Sequence, residues 1–335
     1  MSVRRRDPSD LIGQTIADRY VLESILGEGG AATVYAATDT RLGGECAVKV
    51  LNHPHPIAAR RMDREVRVVA SMQHPNLCHV TDYGRIDAGT PFMVMERLVG
   101  QALGDRLLEQ ADAPEAGRVK PRTQLPIAEA VEIAKQVLSV LHVAHQRSYV
   151  HRDIKPANIF LVDVPGRPPL VKVLDFGVAS ADYEQGLTDR GQIVGTPAYM
   201  SPEQAAAYPD IDGRTDIYAC AVVLYQCLTG VQPFQSEKAL ETLDRIIRGG
   251  ATPVSALRPD VPAEVSRAVE RGMRVEREAR FATALEMIEA LDGKIATSPH
   301  ETWEAATSNL GQIDAEQVFD DVTSRIPPIA PPRRK

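Results

Sequence analysis

The sequence predicts an α+β fold in two lobes, a β-rich N-terminal lobe with one main helix and a mostly α-helical C-terminal lobe. Three observations predict it. Between residues 20 and 97, short runs of alternating apolar and polar residues recur, broken by one amphipathic helical pattern after Pro56. From Pro126 onward helical spacing dominates, first in Ile127, Ala130, Val131, Ala134, Val137, Leu138 and Leu141. Between the long helix and the next strand lies residues 149–158, Y-V-H-R-D-I-K-P-A-N, which places an acid, two cations and a carboxamide on one loop.

Residues 1–18 are polar and mixed and read as a leader. A strand from Tyr20 (Y-V-L-E-S-I-L) runs into G-E-G-G-A-A-T-V at 27–34, and a second strand reaches Thr38 before a turn at 41–44. Glycines at the tip of this hairpin let backbone N–H groups approach phosphates with no Cβ in the way. No helix follows, which excludes a dinucleotide fingerprint; a plain flexible hairpin stays open as the alternative. In the third strand, 45–51, Ala47, Lys49 and Leu51 share one face and Cys46, Val48 and Val50 the other. An ammonium in so apolar a strand needs an anion. The helix after Pro56 offers Glu65, beside the stripe of Met62, Val66 and Val69, while Arg60, Arg61, Arg64 and Arg67 point mostly outward. An arginine on the same helix is Glu65's alternative partner.

Strands are expected at 77–86 and 92–97, joined by a Gly-Thr-Pro turn, then a short helix at 101–110 and a surface insertion at 111–125. The long helix from Pro126 ends just before 149–158. On that loop Asp153 could orient a hydroxyl and accept its proton, Lys155 could neutralise a moving phosphoryl group, and Asn158 could offer a hard oxygen to Mg²⁺. Taken alone, the loop is equally a solvated, ion-paired turn. A strand (I-F-L-V, with Phe160), a Pro-rich turn and a strand at 170–174 lead to Asp175-Phe-Gly177. Helical patterns at 236–248, 262–271 and 281–291 complete the second lobe. Beyond Lys294, Trp303, Leu310, Ile313, Phe319, Val322 and Ile326 have amphipathic spacing before a Pro-rich end, which reads as packed helices, a loose tail, or a docking or autoinhibitory element.

Composition narrows the classes. The chain of 335 residues is 44% hydrophobic with a formal charge of -7, which suits a packed globular core and argues against a protein that coats nucleic acid. Cys46, Cys78, Cys220 and Cys227 show no C-x-x-C spacing and sit in apolar stretches, so buried free thiols in a reducing, cytoplasmic setting are expected. The basic N-terminus lacks the apolar core of a signal peptide. Residues 217–228 are too few for a membrane span, which needs roughly 20, and read as a core helix. His53 and His55 flank a proline with no third ligand nearby and read as a turn rather than a metal site.

In order along the chain, the glycine hairpin, A-V-K, helix glutamate, H-R-D-x-K-x-x-x-N, D-F-G and S-P-E resemble the eukaryotic-like protein kinase family. The form G-T-P-A-Y-M-S-P-E-Q at 195–204 is most similar to its bacterial Ser/Thr branch. The resemblance spans residues 19–291. It implies a two-lobed protein-kinase-like fold, with a small lobe at 19–97, a large lobe at 98–293 and a tail at 294–335. It further implies ATP with Mg²⁺, for which Mn²⁺ could substitute, bound in the cleft. Gly27, Glu28, Gly29 and Gly30 would cover the nucleotide, with Val34, Ala47, Met95 (the gatekeeper position), Glu96, Leu98 and Phe160 around the base. Lys49, paired with Glu65, would hold the α- and β-phosphates; Asp153 would be the base and Lys155 would lie near the γ-phosphate. Asn158 and Asp175 would hold the metal ions.

The resemblance also implies an apolar spine through Val69, Val80, His151 and Phe176 anchored by Asp216, and a bridge from Glu203 to Arg280. Lys155 with Thr196 matches the Ser/Thr-specific pattern, and Arg152 implies ordering of the activation segment by phosphorylation. Among Ser180, Tyr183 and Thr188, Thr188 is the expected autophosphorylation site, the alternative being an ordinary loop threonine. Protein substrates, a dimer for autophosphorylation and docking through the tail are the implied partners. A nucleotide-binding pseudokinase scaffold is the alternative reading; a small-molecule phosphotransferase fits poorly with the S-P-E segment. Three departures stand out: Ala32 in place of the loop's third glycine, Ala221 where the Asp216 helix has glycine, and a longer turn at 163–169.

Overall fold

A computed structural model describes residues 7–52, 56–86, 89–108, 123–176 and 197–294. The small lobe is a six-stranded antiparallel sheet: β1 (Thr15–Ile16), β2 (Tyr20–Glu28), β3 (Ala32–Asp39), β4 (Gly44–Leu51), then β5 (Val80–Ile86) and β6 (Thr90–Glu96), in the order β1-β2-β3-β4-β6-β5. Helix α1 (Pro56–Ala70) crosses between β4 and β5. Strand alternation divides the sheet as the sequence predicts. On the outer face Tyr35, Val48 and Val94 stand opposite one another and pack with Leu22, Val50 and Phe92 in one cluster. On the inner face Leu51 and Met93 pack against Met62, with Val66 beside them.

The stretch expected as a leader is, from Pro8, built into this lobe. A 3₁₀ turn at Pro8–Leu11 and strand β1 lay Leu11 and Ile16, both 3% exposed, on the outer face of the sheet. The Tyr35 hydroxyl donates to the Pro8 carbonyl at 2.8 Å. Two apolar side chains among many polar ones suffice, because the sheet supplies the rest of the core.

After β6 the chain forms β7 (Gly100–Ala102) and a single helical turn, α2 (Leu103–Arg106), rather than the helix expected over 101–110. Residues 100–102 are taken by pairing with the first strand of a second sheet, β8 (Ile159–Val162), itself paired with β9 (Leu170–Val173). The strand expected from Leu77 likewise starts later. Leu77 makes only an isolated parallel bridge to Val173, and Cys78 N–H donates to the Val173 carbonyl at 3.1 Å, so this segment ties to the large lobe. The 163–169 turn closes the β8–β9 hairpin, and Asp163 N–H meets the Val99 carbonyl at 3.1 Å.

The large lobe packs α3 (Ile127–His145), α4 (Pro202–Ala205), α5 (Arg214–Thr229), α6 (Ala239–Arg248), α7 (Val254–Leu257), α8 (Ala263–Gly272) and α9 (Ala284–Leu291). Helix α5 is buried on every side from Thr215 to Thr229, which explains its unbroken apolar run. Its departure from the family pattern is compensated next door. A Cβ built on Gly272 would lie 2.7 Å from the Ala221 methyl, so the space that one helix gave up the other returned. All four cysteines are buried and unpaired. Among the described residues, no helix is long and apolar enough to cross a membrane.

Candidate active site

Helix α1 is wedged between two cores. Met62 packs in the small-lobe cluster with Leu51 and Met93, whereas Val68, Val69 and Met72 join the large-lobe core together with Leu77 and Phe176. This sets Glu65 over the cleft. Lys49, on the inner face of β4, reaches Glu65 Oε1 at 3.3 Å and Asp175 Oδ1 at 2.6 Å. The anion that an apolar strand required is thus present twice, and Asp175 is the nearer. Burial pushes the Glu65 carboxyl up to about 7, because Lys49 only partly offsets the desolvation and Asp175 adds repulsion. Burial acts the same way on Asp175, yet the close ammonium outweighs it and holds this carboxyl below its ordinary value. Lys49, drawn down by burial but faced by two carboxylates, is held firmly protonated.

The strand register brings several expected nucleotide residues onto one face. Val34 stands opposite Lys49, and Ala47 opposite Met95, so all four line the inner side of the sheet. Gly27 and Glu28 end β2 opposite Val34 and Thr33. Cβ atoms built on Gly27 and Gly30 would meet nothing within 4 Å, so these glycines leave space rather than relieve strain. The tip is fastened by a residue that sequence patterns missed. Asn52 donates through Nδ2 to the Gly29 carbonyl at 2.7 Å and through its backbone N–H to Ala31 at 2.9 Å, and accepts from the Thr33 hydroxyl at 2.7 Å.

At the hinge, Leu98 is half-buried and the Glu96 carboxylate accepts from His79 N–H at 2.7 Å and from Lys172 Nζ at 2.7 Å. The side chain therefore clamps the lobes. Phe160, half-buried on β8, stands opposite Ala102.

The polar loop hangs from Asp216, which is fully buried on α5. Its carboxylate accepts from His151 N–H at 2.8 Å, Arg152 N–H at 2.7 Å and His145 Nε2 at 2.8 Å. The two backbone bonds hold Arg152 in the left-handed region, at φ 65, which an arginine adopts only under constraint. His151 is fully buried, lies against Phe176 with the rings tilted by 51° and their centroids 4.6 Å apart, and bonds the Leu174 carbonyl at 3.1 Å, so it packs rather than faces the cleft.

Asp153 is half exposed. Its carboxylate accepts from Lys155 Nζ at 2.7 and 2.9 Å and from Asn158 Nδ2 at 3.0 Å. Asn158 also gives Nδ2 to the Asp153 carbonyl at 2.8 Å, and its own carbonyl receives Leu174 N–H at 2.9 Å, one residue before Asp175. With the amide N–H groups spent on Asp153, the Asn158 oxygen and the Asp175 carboxylate are the hard donors left. That is the donor chemistry a Mg²⁺ ion takes.

Below the loop, Arg280 grips Glu203 with 2.7 and 2.8 Å bonds, both side chains buried, as the sequence reading expected. Thr188 and Thr196, together with Ser180, Tyr183, Gly177, His53, His55 and the tail beyond Lys294, lie outside the described residues.

The model of the family described as Protein kinase domain matches residues 20–289. Serine/threonine-protein kinase pkn3 of Myxococcus xanthus is 38% identical over 276 residues, which cover 80% of this chain and 48% of that protein. PknH of Mycobacterium tuberculosis is 35% identical over 285 residues, covering 84% of this chain and 41% of its own. This chain thus spans less than half the length of these relatives. A crystal structure of the M. tuberculosis PknI kinase domain superposes with a TM-score of 0.64 at 28% identity, covering 84% of this chain and 97% of that one. The motif order, the two-lobed fold and these likenesses agree: the chain belongs to the protein kinase family.

Proposed function

We propose that this chain transfers the γ-phosphate of ATP to serine and threonine hydroxyls of proteins, its own activation segment included. One observation carries the reading. The Lys49–Asp175–Glu65 cluster and the Asp153–Lys155–Asn158 cluster are joined through the Asn158–Leu174 bond, so the groups for holding a triphosphate and for taking a proton form one connected unit.

Lys49 is the cation for the α- and β-phosphates, and Glu65 keeps it on the cleft side of β4. Asp153, already accepting from Lys155 and Asn158, is oriented to receive the proton of an incoming hydroxyl. Lys155 lies beside it and offsets charge on the phosphoryl group in flight. Asn158 and Asp175 would hold Mg²⁺ or Mn²⁺, which supplies charge neutralisation to the triphosphate. The inner face of β3, β4 and β6, with Val34, Ala47 and Met95, offers apolar walls to the adenine, together with Leu98 and Phe160.

Lys155 and Thr196 support a Ser/Thr rather than Tyr preference, and Arg152 supports control by a phosphate on the activation segment, with Thr188 as its main acceptor. Labelling in trans brings two copies together, and residues 295–335 are a candidate docking element. The buried, unpaired cysteines support a reducing compartment.

The test is incorporation of label from γ-labelled ATP into the purified chain, with Lys49→Met and Asp175→Asn as controls. Wild type labelled no more than the controls sinks the enzyme reading. Mass spectrometry then places the phosphate, and its confinement to positions other than Thr188 removes that assignment. Deleting residues 295–335 with no change in labelling or partner binding removes the docking role.

A further inference from the structure

We infer that Gln204 is a positioning residue whose carboxamide fastens the start of α4 to the peptide bond that leads into Asp153. The inference rests on the kinase reading above. One side chain thereby sets the end of the substrate-facing segment and the orientation of the proton acceptor together.

The two ends of the carboxamide do different work. Gln204 Oε1 accepts from Ser201 N–H at 3.1 Å, and Ser201 Oγ accepts from Gln204 N–H at 3.3 Å, a reciprocal cap on α4. Gln204 Nε2 donates to the Arg152 carbonyl at 2.9 Å. That carbonyl belongs to the peptide unit joining Arg152 to Asp153.

Arg152 is already held by its N–H on Asp216, at 2.7 Å, in a left-handed conformation. With Gln204 on its carbonyl, the residue is clamped from both sides. Turning Asp153 out of place requires rotating that peptide unit, and rotation breaks the Gln204 bond. Among the described residues, Asp153's own N–H makes one hydrogen bond, a long one of 3.3 Å to His151 Nδ1, so the Arg152 carbonyl is the stronger tether.

The anchor on the other side is rigid. Glu203, the preceding residue, is buried between Arg280 and Thr215, whose hydroxyl donates to it at 2.6 Å. Movement of α4 is therefore passed to Asp153 rather than absorbed.

Gln204→Glu separates the two functions. A glutamate keeps the oxygen that caps Ser201, since S-x-x-E is itself a capping pair, but it replaces the donor with a carboxylate oxygen facing the Arg152 carbonyl. Ser201→Ala does the reverse, removing the cap and leaving the tie. The full chain would be assayed for transfer of label from ATP onto a Lys49→Met copy.

The expected result for Gln204→Glu is kcat about 10–50-fold lower, with KM for ATP within about twofold and Tm near wild type. Ser201→Ala should lower Tm while kcat stays close to wild type. A Gln204→Glu kcat within about twofold of wild type overturns the inference, as does an equal kcat loss in Ser201→Ala. Amide exchange keeps the tie testable apart from catalysis. If wild type transfers no label, the kinase reading fails, and faster exchange at residues 152–155 in Gln204→Glu still supports the tie, whereas unchanged protection overturns it.

Discussion

Replacing Arg280 with methionine gives the sharpest test of what holds the large lobe together. The guanidinium makes two bonds to Glu203, at 2.8 and 2.7 Å, and further bonds to the carbonyls of Arg274 (2.7 Å), Val275 (2.9 Å) and Arg214 (3.2 Å). It also lies over the Tyr218 ring, 4.9 Å from its centroid. Summing such bonds overstates the loss, because the intact pair carries a desolvation cost of its own. Breaking one side of a buried pair typically costs about 3–5 kcal/mol, chiefly because the other charge stays buried without its partner. At roughly 2–4 °C per kcal/mol for a unit of this size, Tm should fall by about 6–20 °C.

The pH dependence identifies the cause. In wild type, burial pushes the Glu203 carboxyl up, but Arg280 and Thr215 outweigh it and the net shift is downward. A carboxyl depressed in the fold stabilises above its unfolded value, about 4.3, and loses that contribution as pH falls through the folded one. Without Arg280 the ion pair that offset burial is gone and the Thr215 hydroxyl bond is left to oppose it, so Glu203 moves upward, destabilises at neutral pH and is relieved on protonation. Thermal unfolding followed by circular dichroism at pH 7 and pH 5 should therefore show the gap between wild type and variant narrowing at pH 5. Adding Glu203→Gln should recover part of the loss. A Tm change under about 2 °C, or a gap equal at both pH values, refutes the argument that an unpaired buried charge is what costs.

Three further outcomes are expected. The Glu65 carboxyl, raised to about 7 by burial, contributes stability that is full below its unfolded value and lost as pH rises through about 7. Thermal scans between pH 5 and 8 should thus fall more steeply for wild type than for Glu65→Gln, and parallel curves contradict the assignment. Asn52→Ala frees the Gly29 carbonyl and should raise KM for ATP about fivefold, the worth of one hydrogen bond of ~1 kcal/mol, with kcat little changed; an unaltered KM removes Asn52 from the loop's support. Asp153→Asn should slow phosphoryl transfer by about 10²–10⁴-fold while nucleotide affinity measured by calorimetry stays within about twofold, and a rate near wild type ends its role as base.

The pairs that the sequence made legible were those in which burial leaves a charge few options. Lys49 in an apolar strand required an anion, and Glu65 beside an apolar stripe was positioned to be one. The bonds that escaped reading join a side chain to a distant backbone group: Asn52 to Gly29, Glu96 to His79, Gln204 to Arg152. Asn, Glu and Gln are common surface residues, and nothing in their local pattern marks which carbonyl or N–H the fold will bring within 3 Å. The strand limits were misread for a related reason. Leu77 and residues 100–102 are apolar or neutral enough for several structures, and their partners lie on β8 and β9, far along the chain.

The sequence by itself determined the two-lobed class, the order of the main elements, the alternation that gives the sheet an inner and an outer face, and the side-chain types that the proposed phosphoryl chemistry draws on. These follow from local periodicity and from side-chain chemistry, which travel with the chain whatever its surroundings. Only the tertiary structure decided that Lys49 sits closer to Asp175 than to Glu65, that residues 8–16 complete the outer core, that Gly272 makes room for Ala221, and that Arg152 is gripped from two helices. Each of those depends on distances of a few ångströms between segments up to 126 residues apart, and such distances are set by how whole elements pack.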